Sequence, residues 1–341
     1  MRPPRRLCAS LSLLTVTGLT VSACAGPEQR SAWFGGYVNA TAYPYYEFGM
    51  HGPELGRTVL GFVVADPESD CSPSWGGYFD LDQAATELSM DQQVAAVQDS
   101  GGEVVVSFGG EAGAELATAC TDPTQLYEAY SSVLERYDVT TVDFDVEMDD
   151  LTDADAAARR GEAVARLQEE NTDLEVWVTL PGSPPGLDED SQTVVQQMLE
   201  AGVDLAGVNV MTMNYSESKP AEQSMAAASE DTARAVHAQL QEIYAQQGEE
   251  LTEDELWSRI GLTPMIGQND VAGEVLDLDG AAELNRFAQE QGIGRMSYWS
   301  ANRDRSCAPE DGDPEVANDF CSGVEQDDDA FAAVLREGFD G

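Results

Sequence analysis

The sequence predicts a (β/α)8 barrel built as a single domain over residues 32–341, and three observations carry that expectation. Eight apolar, β-rich runs alternate with helix-patterned segments along the chain, as in a parallel sheet. No glycine-rich dinucleotide fingerprint follows the first run, which weakens an open doubly wound sheet. No internal repeat or low-complexity linker divides the 341 residues, a length that can bury one large core.

The runs read as strands are, in order, "WFGGYVNA" near 33, "TVLGFVVA" near 58, "EVVVSFGG" near 103 and "VTTVDFDVE" near 139. They continue with "LEVWVTLPG" near 174, "LAGVNVMTMNY" near 205, "IGLTPMIGQND" near 260 and "IGRMSYWS" near 293. Between them, "DADAAARRGEAVARLQEE" and "MAAASEDTARAVHAQLQEIYAQQ" place Ala, Leu and Val at helical spacing. Thr252 and Glu255 have capping-box spacing at the helix before the seventh strand, and Asp279 is read as a further helix cap.

Residues 1–23 run from Arg2, Arg5 and Arg6 through an apolar stretch to small residues, the layout of an export signal. The apolar part is too short to span a membrane comfortably. "VSAC", ending at Cys24, resembles the bacterial lipobox, so the expectation is lipidation at Cys24, a short linker over 24–31 and an extracellular, membrane-anchored protein; ordinary secretion is the alternative. Apart from Cys8 and Cys24, four cysteines remain, and an even number outside the cytoplasm suggests two disulfides. Of the three pairings, Cys71 with Cys120 and Cys307 with Cys321 is favoured.

With 63 acids against 17 bases the formal net charge is −46. Such a polyanion repels nucleic acid and anionic lipid, so a neutral or cationic partner is expected. Lys219 is the sole lysine, which fits an acid-solvated surface of the haloadapted kind.

Within the fourth run, Asp143, Asp145 and Glu147 occupy alternate positions. In a strand these share a face while Val142, Phe144 and Val146 share the other. In a barrel the acids then face the axis and rise toward the C-terminal mouth, where barrel active sites lie. Crowded carboxylates raise at least one pKa, which equips that group as a general acid. The competing readings are a solvated acidic strand face and a calcium or magnesium site. His51 and His237 are the only histidines, which argues against a histidine zinc site and against a Ser/His/Asp triad. "DDDA" at 327–330 is read as solvated surface.

"VDFDVE" resembles the D-x-x-D-x-D-x-E signature of family-18 glycoside hydrolases, with Thr140 in place of the leading acid. "SFGG" at 107–110 resembles that family's S-x-G-G, "NVMTMNY" its M-x-Y-D segment, and "MSYWS" its eighth-strand tryptophan, Trp299. "PSWGG", "TPMIGQND" and "YWSANRD" are similar to a secreted bacterial subgroup related to chitinase D. The resemblance implies a cofactor-free, metal-free, monomeric glycosidase acting on chitin or chitooligosaccharides by substrate-assisted retention. Glu147 would be the acid, Asp145 would orient the substrate's acetamido group, and Asp143 would share a proton with Asp145. Trp299 would floor the pocket, Ser107 and Tyr37 would support Asp143, and Met211 would line the substrate site.

The sixth strand departs from the family pattern. Met213 stands where a tyrosine usually holds the acetamido oxygen, and Asn214 stands where aspartate is usual. A thioether cannot donate that hydrogen bond. Tyr215 is the candidate substitute if the strand end bulges, and Asn214 can bond an acetamido or hydroxyl group. Trp75, with Gln268, Asn269 and Asp270, is expected to extend the cleft. An endo-β-N-acetylglucosaminidase and a non-hydrolytic binding protein on the same fold remain as alternatives.

Overall fold

The computed structural model describes residues 31–339. The leader over 1–23, Cys8, the lipidation cysteine Cys24 and nearly all of the 24–31 linker lie outside these residues.

Eight parallel strands close into a ring: β1 (Trp33–Asn39), β2 (Arg57–Asp66), β3 (Glu103–Gly109) and β4 (Thr141–Asp145), then β5 (Glu175–Pro181), β6 (Leu205–Met211), β7 (Ile260–Thr263) and β8 (Arg295–Tyr298). Each pairs with its neighbour in the chain, and β1 closes the barrel on β8 with Gly36 opposite Tyr298. All eight coincide with the runs read from the sequence. One helix of the outer ring follows each strand: α1 (Phe48–Leu55), α2 (Met90–Asp99), α3 (Pro123–Tyr137), α4 (Ala154–Glu170), α5 (Glu189–Glu200), α6 (Met225–Gln246), α7 (Leu278–Gln291) and α8 (Ala330–Leu335).

The capping box at Thr252 and Glu255 forms as expected. At α7 the cap is Asp277, whose carboxylate accepts the Gly280 N–H at 2.8 Å; Asp279 lies inside the first turn instead. An extended backbone at Asp277 turns its carboxylate back over the free N–H groups, which a residue already wound into the helix cannot do.

Alternation in the strands splits the core into two layers. Val142, Phe144 and Val146 point outward and are fully buried beneath the helices, with Phe144 stacked on Phe108 at 5.3 Å and edge-on to Tyr130 at 5.2 Å. Inside the ring, Trp33, Tyr37, Val59, Val105, Trp177 and Ala206 form a separate cluster that Phe62 and Trp299 top. Trp33 meets Trp177 edge-on at 5.7 Å.

Beyond β2 the chain forms an antiparallel hairpin, Ser69–Trp75 with Phe79–Asp80. The Cys71–Cys120 disulfide ties this hairpin to the segment ahead of α3, and Cys307–Cys321 ties the loop after β8 to itself. Trp75 is completely buried here, its indole N–H donating to the Tyr137 hydroxyl of α3 at 2.9 Å. The expectation that Trp75 lines a cleft is therefore corrected: the hairpin folds down on α3 and converts the indole into core.

Candidate active site

Asp143 sits on the barrel axis, wholly buried, and receives four hydrogen bonds. Tyr37 and Ser107 donate to its Oδ2 at 2.8 and 2.7 Å, while Thr179 and the Arg295 guanidinium donate to its Oδ1 at 2.6 and 2.8 Å. The support expected from Tyr37 and Ser107 is present; Thr179 and Arg295 were not anticipated. Behind them, the Asn209 amide donates to Thr179 and to Tyr37 at 2.9 and 3.3 Å, and its carbonyl accepts from Thr263 at 2.9 Å. The positive charge facing Asp143 is a guanidinium, which occupies the place that the metal reading would have given to a cation.

One step nearer the mouth, Asp145 is 4% exposed and its Oδ1 has no hydrogen-bond partner. Burial, reinforced by Glu147 and Asp143, pushes its carboxyl well above the ordinary range, against the opposing pull of Arg295. Glu147 follows the strand end, partly open to solvent. Burial, with Glu111 beside it, pushes its carboxyl up to about 7. The three acids thus climb one face of β4 from an ion-paired base to a protonatable tip.

Two features hold this ladder in place. The glycines of "SFGG" allow close approach: Gly109, at φ 97°, would drive a Cβ into the Asp145 carbonyl, and the Gly110 N–H donates to that carbonyl at 2.9 Å. The segment after Glu147, Met148–Leu151, is pinned through Asp150, which accepts from the Thr118 hydroxyl at 2.6 Å and lies beside Glu115. Glu115 is itself buried in an ion pair with Arg160 at 3.0 Å and takes the Tyr130 hydroxyl at 2.7 Å.

Trp299 is half-buried at the top of β8, stacked on Phe62 at 5.7 Å and tilted against Tyr37 at 6.1 Å. It presents a ring above the layer that holds Asp143. Phe62 was not anticipated: a register shift between Gly61 and Val63 takes it out of alternation and into the inner cluster.

At the sixth strand, Met211 ends β6 and Met213 follows it, both half-buried. Tyr215 is corrected. Its hydroxyl contacts Ser229 and Thr232 of α6 at 3.2 and 3.3 Å, so it points into the helix layer and offers nothing to the mouth. Asn214 is exposed but spends its amide on Asp270, donating at 2.8 Å and accepting from the Asp270 N–H at 2.9 Å. Asn269 braces the same loop through the Asn214 N–H and the Met265 carbonyl. These contacts are loop structure first, with any contribution to a cleft secondary.

No protein-family model matches the chain. It is 31% identical over 256 residues to a probable bifunctional chitinase/lysozyme of Escherichia coli, matching 72% of this chain and 28% of that protein. It is 30% identical over 261 residues to endochitinase 11 of Metarhizium anisopliae, matching 73% of this chain and 48% of that one. The chain thus spans less than half the length of these curated relatives. The catalytic domain of a hyperthermophilic chitinase from Pyrococcus furiosus superposes with a TM-score of 0.78 at 28% identity, over 92% of this chain and 97% of that domain. With its closed eightfold barrel and the acid ladder on the fourth strand, the chain is a homologue of these chitinases.

Proposed function

We propose that the protein cleaves β-1,4-linked N-acetylglucosamine chains by substrate-assisted, retaining hydrolysis. The observation that carries this reading is the tip of the ladder: Glu147, partly open at the mouth, retains its proton to about pH 7 while standing above two further acids. Glu147 passes that proton to the glycosidic oxygen as the bond to the anomeric carbon breaks. The 2-acetamido carbonyl oxygen bonds to that carbon from the other side, giving an oxazolinium. Asp145 turns its unpartnered oxygen to the acetamido N–H and orients that group for attack. Water then adds at the anomeric carbon, the acetamido oxygen leaves, and the proton released returns to Glu147. Two such displacements retain the anomeric configuration, the substrate-assisted exception to the two-carboxylate scheme.

The test is the full chain with chitohexaose: shorter oligomers should appear, with the β-anomer in excess at the new reducing end by NMR before mutarotation. A thiazoline analogue of the oxazolinium should inhibit. Calorimetric binding without product after long incubation would instead support a non-hydrolytic binder, a reading that Met213 and the turned-away Tyr215 keep in play. Release of intact glycans from a glycoprotein in preference to chitohexaose would support the endo-β-N-acetylglucosaminidase.

With Trp75 buried, the aromatic surface near the mouth comes from neighbouring positions. The turn that follows Trp75 adjoins Phe62, since the Gly76 N–H donates to the Phe62 carbonyl at 2.9 Å. From there Tyr78, Phe79, Tyr45 and Tyr43 succeed one another at ring spacings of 6.5, 6.5 and 5.5 Å, with Tyr78 and Tyr43 about three-quarters exposed at 74% and 77%. Tyr43→Ala with Tyr78→Ala is expected to reduce binding to insoluble chitin severalfold and leave chitotriose turnover within twofold. Equal binding by pull-down would remove these rings from the substrate path.

We also read the protein as exported and anchored at Cys24. Two disulfides, which persist in oxidising compartments, support export.

A further inference from the structure

We propose that Arg295 is a positioning residue for catalysis: by pairing with Asp143 on the barrel axis it fixes the negative charge there and leaves Asp145 to carry the proton of the pair. This rests on the reading of Glu147 as the acid, and it changes the expectation that Asp143 and Asp145 share a proton.

The directions of the Tyr37 and Thr179 hydrogen bonds to Asp143 follow from two residues, Arg295 and Asn209. The Arg295 guanidinium can only donate, and it does so three times: to Asp143 at 2.8 Å, to the Tyr37 hydroxyl at 2.8 Å and, through Nε, to Ser297 at 2.8 Å. The Asn209 amide also donates to Tyr37, so the Tyr37 oxygen already receives two hydrogens. Its own hydrogen goes to the Asp143 carboxylate at 2.8 Å, the closer and charged acceptor, in preference to the Thr179 hydroxyl at 3.1 Å. Thr179 likewise receives a hydrogen from Asn209 and passes its own to Asp143. Both oxygens of Asp143 thus face hydrogens supplied by neighbours, and a proton added to either would meet one of them.

Arg295 cannot leave this position. It and Asp143 are both wholly buried, and the guanidinium lies 4.8 and 5.5 Å from the Trp33 and Trp177 rings that close the barrel beneath it. Asp145, directly above, has the opposite surroundings, with one oxygen free of partners. The ionisable groups facing the acid pair are Tyr37 of β1, Arg295 of β8 and Glu147 beyond β4, with Glu111 beside Glu147. β3, β5, β6 and β7 contribute Ser107, Thr179, Asn209 and Thr263, none of which titrates in the working range. One cation thus decides where the charge resides. Asp145 keeps the proton of the pair, above a charge that Arg295 already compensates.

Two readouts test this. Arg295→Met should lower kcat about 10²-fold with KM within threefold, and should move the acid limb of the kcat/KM profile up by about one to three pH units, because loss of the neighbouring cation lets a second proton bind the pair. Arg295→Lys, which keeps the charge and loses the fork, should hold the acid limb within about half a unit of wild type. A folded Arg295→Met with an unmoved limb overturns the proposal, as does an Arg295→Lys limb displaced as far as that of Arg295→Met. The second readout needs neither turnover nor a change at Arg295. In the Glu147→Gln background near pH 6, infrared spectroscopy should show a buried protonated carboxyl band that Asp145→Asn removes. Persistence of that band in the Asp145→Asn protein overturns the proposal even where Arg295→Met fails to fold. Absent hydrolysis by wild type would count against the glycosidase reading alone, leaving the infrared result to decide this one.

Discussion

Glu147→Gln is expected to lower kcat on chitohexaose about 10²–10⁴-fold, the range a positioned general acid supplies, while calorimetric affinity stays within a few-fold. The amide keeps the shape and the hydrogen-bonding oxygen but has no proton to give. In wild type the proton must be present, so kcat should fall as pH rises through about 7, where burial and Glu111 have moved the carboxyl. Stability should fall over the same range. A carboxyl with a raised folded-state pKa binds more protons folded than unfolded, so its contribution is present at low pH and is lost as pH rises from the ordinary carboxylate range to about 7. Glu147→Gln escapes that loss. Its melting temperature should match wild type at pH 4 and exceed it at pH 8, and a variant that turns over chitohexaose at the wild-type rate would end the assignment of Glu147 as acid.

Why the acid ladder could be read in the sequence, and its support only in part, is a matter of range. Period-two alternation is local, so "VDFDVE" alone places Asp143, Asp145 and Glu147 on one face, and the eight β-rich runs locate the strands. Arg295 shares the parity of Trp299, two steps along an apolar strand, and that was a usable signal: a charge on the inward face of a barrel strand needs a partner inside. Its identity as Asp143, 152 residues away, depends on ring closure and on strand stagger, which no local pattern carries. Phe62 was hidden for another reason, since it lies off the inward parity of Val59 and only a register shift turns it to the inner face. Tyr215 and Trp75 show the limit of residue type as evidence. Both are aromatic residues near the mouth in sequence, and both are taken by the helix layer, where their polar atoms find Ser229 and Tyr137.

Asp143→Ala is expected to destabilise the fold by about 3–5 kcal/mol, the usual consequence of deleting one member of a buried ion pair. The loss is one-sided because Arg295 remains, wholly buried, with two aromatic rings beneath it and its ion-pair partner gone. Thr179, Ser107 and Tyr37 each lose an acceptor as well, so four donors from four strands are orphaned by one truncation. Asp143→Asn should recover only part of this, since its NH2 group would face hydrogens where the carboxylate accepted them. Urea unfolding at pH 6 checks the prediction: the midpoint should drop sharply for Asp143→Ala and lie at or above wild type for Glu147→Gln. The contrast separates two kinds of acid on one strand face. Glu147 stands at the exposed end, where the fold tolerates its replacement and the chemistry does not. Asp143 stands where the barrel closes around it, so its charge serves Asp145 above and the strand ring on every side, and an unchanged midpoint in Asp143→Ala would show that the ion pair is not what holds the axis together.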